Sequence, residues 1–268
     1  MGFGNQIKEE NMEQKIVLVV VDGLRADALS LLDLPFIKKL KTNSTFCLKA
    51  RSVVPALTLP CMTSMFHGVE PDRHSIFTNE WAPQIRPIKG LVEQLDDFGK
   101  RCAFFTTSEE VRDVCRVNHL EQHLCFNAYR QSNADEKVTS EAIQYVKEAM
   151  PDFMLVHLKG TDIAGHRYGY GSEEYLQAVK QDVLLLEKIY EAVKEEHLIV
   201  TADHGGEGRN HGGNTPANIF VPMFFYGESF GRNQELENCS ITDIAKTVAS
   251  ILGVPPVRDW EGENRAEK

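Results

Sequence analysis

Six side chains of metal-ligand type follow three apolar runs. Asp22 follows "IVLVVV" (16–21), Asp162 and His166 follow "FMLVHL" (153–158), and Asp203, His204 and His211 follow "HLIV" (197–200). Carboxylates and neutral imidazoles are ordinary donors for zinc and related divalent ions. Six donors are too many for one tetrahedral ion that keeps an open position. They suit two ions about 3.5–4 Å apart, an arrangement that serves phosphoryl transfer. The stretch "TADHGGEGRNHGG" (201–213) surrounds three of these ligands with glycine, which permits tight turns and close backbone approach. Each residue also has an ordinary reading. Asp22-Gly23 is a turn, Asp162 and His166 are a helix-start carboxylate and a surface imidazole, and His204 is a satisfied polar group. Their joint occurrence after three runs of strand type favours chemistry.

The candidate nucleophile is Thr58, in "VVPALTLPCMTSMFHG", between a strand and the helix that follows it. N–H groups and the dipole at a helix start favour anions. A threonine hydroxyl is a poor nucleophile at neutral pH, and a bound divalent ion stabilises its alkoxide. Taken alone, Thr58 reads as a helix N-cap. Thr63 and Ser64 lie further along the helix and read as structural.

The elements that must position these groups alternate along the chain. Strands are expected at 15–23, 47–55, 101–108, 152–162, 197–200 and 221–227, and helices at 34–43, 57–68, 88–99, 135–150, 172–196 and 241–253. Apolar runs bounded by turn residues give the strands, and spacing near 3.6 gives the helices. Ser172 reads as the cap of the longest helix. The alternation implies an α/β fold, with a mainly parallel central sheet and helices on both faces. In such a sheet the carboxyl ends of parallel strands share one edge, where sites form. The chain reads as one domain over 1–268, with frayed ends at 1–14 and 262–268. The segment 109–134 is the least periodic and reads as a lid or a small insertion.

Composition narrows the function. The formal charge is 29 − 39 = −10, which disfavours a nucleic-acid surface but allows a small phosphate ester held by metal ions. No apolar run approaches the ~18 residues of a membrane span. "MGFGNQIKEENMEQK" has no apolar core of a signal peptide, so cytoplasm is the expected compartment. The six cysteines form no CxxC pair and read as free thiols. Oligomeric state is not legible.

"VVVDGLRAD", "PALTLPCMTSMFHGVEPDRHSIFTN", "GTDIAGH" and "TADHGGEGRNHGG" together resemble the alkaline phosphatase superfamily, within it the type I phosphodiesterase/nucleotide pyrophosphatase branch. The closing "ITDIAKTVASILGVPPVRDWEGE" is similar to that family's C-terminal segment, so the resemblance runs in order from about residue 15 to 262. It implies an alkaline phosphatase-like core and two divalent ions, zinc or else manganese. Asp22, Thr58, Asp203 and His204 would hold one ion, with Thr58 as nucleophile. Asp162, His166 and His211 would hold the other. Asn79 would donate a hydrogen bond to a phosphoryl oxygen. The implied course is in-line attack by Thr58 on a phosphodiester or pyrophosphate, giving a phospho-threonine that water then displaces.

Two departures bear on the substrate. Leu59 stands after the nucleophile, where larger nucleotide pyrophosphatases commonly carry an aromatic residue. His211 follows His204 almost at once, as in compact members of the branch. Glu207, between the ligands, ranks below the seven as an outer group. No Arg or Lys lies near Thr58 in sequence, which leans toward diesters over monoesters, although Arg73, Arg86 or Arg167 could fold in. A monoesterase, a phosphonoacetate-type C–P hydrolase and a metal-binding protein without turnover are the alternatives. A sulfatase would need a CxPxR-type motif, which "CMTSM" around Cys61 lacks. Trp81, Tyr168 and Tyr170 either stack on a substrate base or simply pack.

Overall fold

The computed structural model describes residues 14–84 and 87–267. Its centre is an eight-stranded sheet of β1 (Ile16–Val21), β2 (Thr45–Arg51), β3 (Cys102–Thr106), β4 (Gln122–Cys125), β5 (Phe153–Leu158), β6 (His197–Thr201), β7 (Phe220–Tyr226) and β8 (Gln234–Glu235). The strand order is β4-β3-β5-β1-β6-β7-β2-β8. Pairing is parallel from β4 through β6 and between β2 and β8, while β7 runs antiparallel to both β6 and β2. The mainly parallel sheet therefore carries one reversed strand, which the alternation of elements did not reveal.

Every residue of β1, β5 and β6 is buried. Strands this apolar are stable only when helices cover both faces, as parallel sheets require. Phe66 of the helix Thr58–His67 packs edge-on against Phe104 of β3 and Phe153 of β5, with centroids 5.4 Å and 6.0 Å away. Elsewhere, Phe36 of the helix Pro35–Asn43 meets Tyr190 of the helix Glu173–Val193 at 5.4 Å. Local signals set several boundaries. The Ser172 side chain accepts from the Tyr175 N–H, with Glu173 and Glu174 in the first turn, so it caps the long helix as expected. Pro35 opens its helix, and Gly68, at φ 60°, ends the helix Thr58–His67.

β5, β1 and β6 are adjacent and parallel, and Val20 pairs with both His157 and Thr201. Their carboxyl ends fall on one edge, so the loops bearing Asp22, Asp162 and Asp203 are neighbours. β5 stops at Leu158, short of the expected 162, because Gly160–Tyr168 is already helix.

One expectation needs correction and another gains detail. The segment 109–134, expected as a lid or a small insertion, carries structure of its own. It makes two short 3-10 turns and then β4, which pairs parallel to β3 as the edge of the sheet. Its four strand residues are all half-buried, so they lack the apolar run that marks an inner strand. The C-terminal residues 262–267 are not frayed. Gly262 N–H donates to Gly68 C=O at 3.2 Å, Arg265 pairs with Asp243 at 2.7 Å, and Glu267 N–H donates to Ser229 C=O at 2.9 Å. A polar tail held by charge and backbone bonds carries no hydrophobic signal. Of the residues 1–14 expected to fray, 1–13 lie outside the described residues, as do Arg86 and Lys268. Gln14 bonds Glu228 at 2.6 Å. All six cysteines are free.

Candidate metal centre

The seven expected ligand side chains and Asn79 come from four parts of the sequence to one end of the sheet. Asp22, Asp203 and His204 have no exposed surface, and Thr58 and Asp162 have 1%. Gly23 makes the meeting of loops possible. It sits at φ 72°, and a Cβ there would lie 3.0 Å from the Asp162 Cα. Its N–H donates to Asp203 Oδ1 at 3.2 Å, and His204 N–H donates to the same oxygen at 2.9 Å.

The glycines of 201–213 serve a related purpose. A Cβ on Gly206 would lie 2.6 Å from the Tyr170 ring. The space it leaves admits Tyr170, whose hydroxyl donates to Asp162 Oδ1. Tyr170 is thus a buried support for a carboxylate, not a stacking surface for a base. Tyr168 is exposed with Arg167 over its ring, and Trp81 is exposed. Glu207 is also exposed, and it accepts from the Thr215 hydroxyl at 3.1 Å within its loop.

Thr58 is not an N-cap. Leu57 occupies that position without any side-chain bond, and Thr58 is the first helical residue. Its Oγ1 lies 3.4 Å from His204 Nε2. Asn79 Oδ1 accepts from the Leu59 N–H at 3.0 Å, which leaves the amide NH₂ free to donate beside Thr58. A cleft of about 730 Å³ opens from Leu59 and Thr63 toward Trp81, Ile88 and Arg116.

The three imidazoles share one arrangement. Nδ1–H of His204 donates to Gly205 C=O at 2.8 Å, that of His211 to Ala56 C=O at 2.8 Å, and that of His166 to Arg209 C=O at 2.9 Å. Those bonds select the tautomer with the proton on Nδ1, so each Nε2 presents a lone pair. His204 Nε2 lies 3.4 Å from both Asp22 Oδ1 and Asp203 Oδ2. His166 Nε2 and His211 Nε2 lie 3.6 Å and 3.8 Å from Asp162 Oδ1, and only 3.1 Å from each other. Two lone pairs facing at that distance repel unless a cation lies between them. Asp22 Oδ1, Asp162 Oδ2 and Asp203 Oδ2 are buried and accept no hydrogen bond among the described residues. The donors therefore fit divalent cations, and backbone carbonyls orient the rings as metal-ligating histidines require.

Electrostatics agree with that fit. Burial pushes His204 below the usual imidazole value, and burial together with the neighbouring His204 ring lowers His211 to about 4. Both rings stay neutral near pH 7, as ligands must. Burial, reinforced by the Asp22 carboxylate, raises Asp203 well above the usual range. Asp22 goes the other way. Burial would raise it, but the Lys159 ammonium and two imidazoles hold it well below the ordinary carboxylate value.

Sequence reasoning missed Lys159 and His157. Lys159 is 1% exposed, with Nζ 2.7 Å from Asp22 Oδ2 and 3.2 Å from Asp162 Oδ2. His157 is fully buried, with Nε2 3.4 Å from Asp22 Oδ2. A charged residue ending an apolar strand run, "FMLVHLK", was the available signal, because lysine is rarely buried unless paired. Asp135 accepts from the N–H groups of Lys159 and Gly160, and Asp182 accepts from Thr161, fixing the turn that presents Asp162. Of the arginines considered as phosphate partners, Arg73 pairs with Asp259 and Glu261, and Arg167 lies over Tyr168.

Comparisons with known proteins bear on the fold and the family. Residues 16–90 match the family model described as type I phosphodiesterase / nucleotide pyrophosphatase, and residues 101–256 match that of the metalloenzyme superfamily. The chain is 23% identical to the catalytic subunit of human GPI ethanolamine phosphate transferase 2, over 92% of this chain and 27% of that protein. It is 25% identical to venom phosphodiesterase 2 of Crotalus adamanteus, over 73% of this chain and 27% of that one. The chain thus spans about a quarter of the length of these relatives. Murine ectonucleotide pyrophosphatase / phosphodiesterase 5, solved as an inactive variant in complex with AMP, has the same fold. Its TM-score is 0.79 at 13% identity, covering 95% of this chain and 98% of that one. Among the described residues, no helix is long and apolar enough to cross a membrane. With more than half of its length matched by one model, the chain belongs to the alkaline phosphatase-like metalloenzyme superfamily, and its residues 16–90 resemble the type I phosphodiesterases and nucleotide pyrophosphatases.

Proposed function

We propose that the chain is a two-metal hydrolase of phosphodiester or pyrophosphate bonds, acting as one catalytic unit with Thr58 as nucleophile. The observation that carries this reading is the clustering of three imidazole Nε2 atoms with carboxylate oxygens of Asp22, Asp162 and Asp203 that accept no hydrogen bond among the described residues, with the Thr58 hydroxyl 3.4 Å from one of those imidazoles. Asp22, Asp203 and His204, with Thr58, would hold one ion, and Asp162, His166 and His211 the other. Zinc suits these donors, and manganese fits the same set. Bound ions would supply Lewis-acid charge that favours the Thr58 alkoxide and offsets charge on the phosphoryl group.

Thr58 Oγ1 forms the bond to phosphorus while the bond to the leaving oxygen breaks. Water then attacks the same phosphorus and releases the threonine hydroxyl. Asn79 donates its amide hydrogen to a phosphoryl oxygen, held in aim by the Leu59 N–H. Lys159 supports the diester reading. Its charge is engaged by Asp22 and Asp162, so it is not free to balance the second charge of a monoester. The cleft beside Leu59 has room for a leaving group.

A second reading keeps Thr58 and the same donors but transfers the phosphoryl group to an alcohol. The match to an ethanolamine phosphate transferase over 92% of this chain favours it. One experiment tests both readings. The protein is chelated, reloaded with zinc or manganese, and assayed on bis-(p-nitrophenyl) phosphate and p-nitrophenyl phosphate, with and without glycerol as an alcohol acceptor. Metal-dependent preference for the diester with water as acceptor supports the hydrolase, and a phosphate ester of glycerol among the products supports the transferase. Preference for the monoester overturns the diester assignment.

A further inference from the structure

Beyond its contact with the Asp22 carboxylate, His157 is a buried group that the roles above leave without a task. It lies in β5, where side chains alternate between faces, so it shares a face with Leu155 and not with Val156 or Leu158. Its C=O accepts from the Thr107 hydroxyl at 3.0 Å, but neither ring nitrogen has a hydrogen-bond partner among the described residues. A fully buried imidazole with both nitrogens unbonded is rare in native proteins and calls for an explanation. One stands beside it. Nε2 lies 3.4 Å from Asp22 Oδ2, and ligand atoms of His157, Asp22 and Asp203 all fall within 4.8 Å of one another. Asp22 Oδ1 and Asp203 Oδ2 are orphaned in the same place. Lys159 engages Asp22 Oδ2 at 2.7 Å and so fixes that carboxylate with Oδ1 left over.

We propose that His157 is a further ligand of the ion held by Asp22 and Asp203, giving the centre an imidazole from the sheet itself. The other three imidazoles come from the helix Gly160–Tyr168 or from the glycine-rich loop that follows β6. His157 instead belongs to the strand ladder, where Val20 pairs with it, and the β1–β5 register fixes its position. This makes the Asp22–Asp203 ion the more rigidly held of the two. The inference rests on the two-metal reading, and its test separates the two.

The test uses the full chain with histidine labelled by a magnetic nitrogen isotope and loaded with a magnetic cadmium isotope. Direct nitrogen–cadmium coupling marks every ligating ring. Four coupled imidazoles are expected, from His157, His166, His204 and His211. His157→Gln should remove one of them and weaken one equivalent of bound zinc by on the order of 100-fold in chelator competition, leaving the other equivalent unchanged. Three coupled rings in the natural protein would overturn the proposal, even if the variant failed to fold. So would a folded His157→Gln protein that kept both affinities. A natural protein that bound no divalent ion would overturn the two-metal reading as well, an outcome distinct from the loss of His157 alone.

Discussion

His74 and His204 are both fully buried, yet the fold treats their rings differently. His74 Nδ1 accepts from the Ile76 N–H at 3.0 Å, and its other nitrogen meets the Ser64 hydroxyl at 2.9 Å. Both nitrogens are used within the protein, and the ring only ties the helix Thr58–His67 to the turn at Ser75. His204 spends one nitrogen on a backbone carbonyl and aims the other at two carboxylates that it does not satisfy. Burial alone therefore does not mark a functional histidine. The mark is a nitrogen that meets only other residues of the centre: the Thr58 hydroxyl at 3.4 Å for His204, and each other at 3.1 Å for His166 and His211.

The comparison can be broken at several points. The largest effect is expected at Thr58. Thr58→Ala should lower kcat on a diester by at least about a thousand-fold while the protein still binds divalent metal. Steady-state kinetics with elemental analysis would check this, and retained turnover would remove Thr58 as nucleophile. Next comes Lys159. Lys159→Met leaves Asp22 and Asp162 buried without their cation. It should cost roughly 3–5 kcal/mol in denaturant melts under a chelator, with part of the loss regained on adding zinc. Equal stability of variant and parent under chelator would mean the ammonium does not balance these carboxylates.

His211→Gln tests the contrast directly. It should weaken one zinc equivalent by on the order of 100-fold, whereas His74→Gln should leave zinc affinity unchanged. Isothermal titration of both variants would decide. If His74→Gln lost metal, the distinction drawn from ring hydrogen bonds would fail.

The smallest effect is a pH dependence from His74. Burial lowers His74 from its ordinary value of 6.5 to about 3. Below 6.5 the unfolded chain takes up a proton that the folded ring refuses. Stability from this group is complete above 6.5 and is lost as pH falls toward 3, by up to about 1.4 kcal/mol per pH unit. Urea melts between pH 7 and 5 should have a shallower slope in His74→Gln than in the parent. An unchanged slope would assign the acid sensitivity to other groups.

Much of this arrangement was legible in the sequence. Apolar runs marked β1, β5 and β6, and parallel pairing dictated that Asp22, Asp162 and Asp203 meet at one edge. What followed from contacts between distant loops was not legible. The passage of Tyr170 past Gly206 to Asp162 depends on a missing side chain, and no periodicity reports it. Lys159 joins residues 137 and 3 positions away, so inspection of the sequence near Thr58 could not find it. β4 and the anchoring of the C-terminal segment were not legible because each is held by backbone bonds or ion pairs instead of by an apolar stripe. The orientation of the Thr58 hydroxyl was equally invisible, since a capping threonine and a catalytic one share the same place in a sequence.

The carbonyls that aim His166, His204 and His211 belong to Arg209, Gly205 and Ala56. They are main-chain atoms, present whatever side chain the residue bears. Arg209, which is exposed, can therefore mutate without deleting the acceptor, while Ala56 is fully buried and tolerates only small replacements. Gly205 has less latitude, because a Cβ there would lie 2.1 Å from the Ala217 carbonyl oxygen. The aim of the rings is thus inherited from loop shape more than from neighbouring residue identity. Lineages of this chain can diverge widely around the centre while its histidines keep facing the same point.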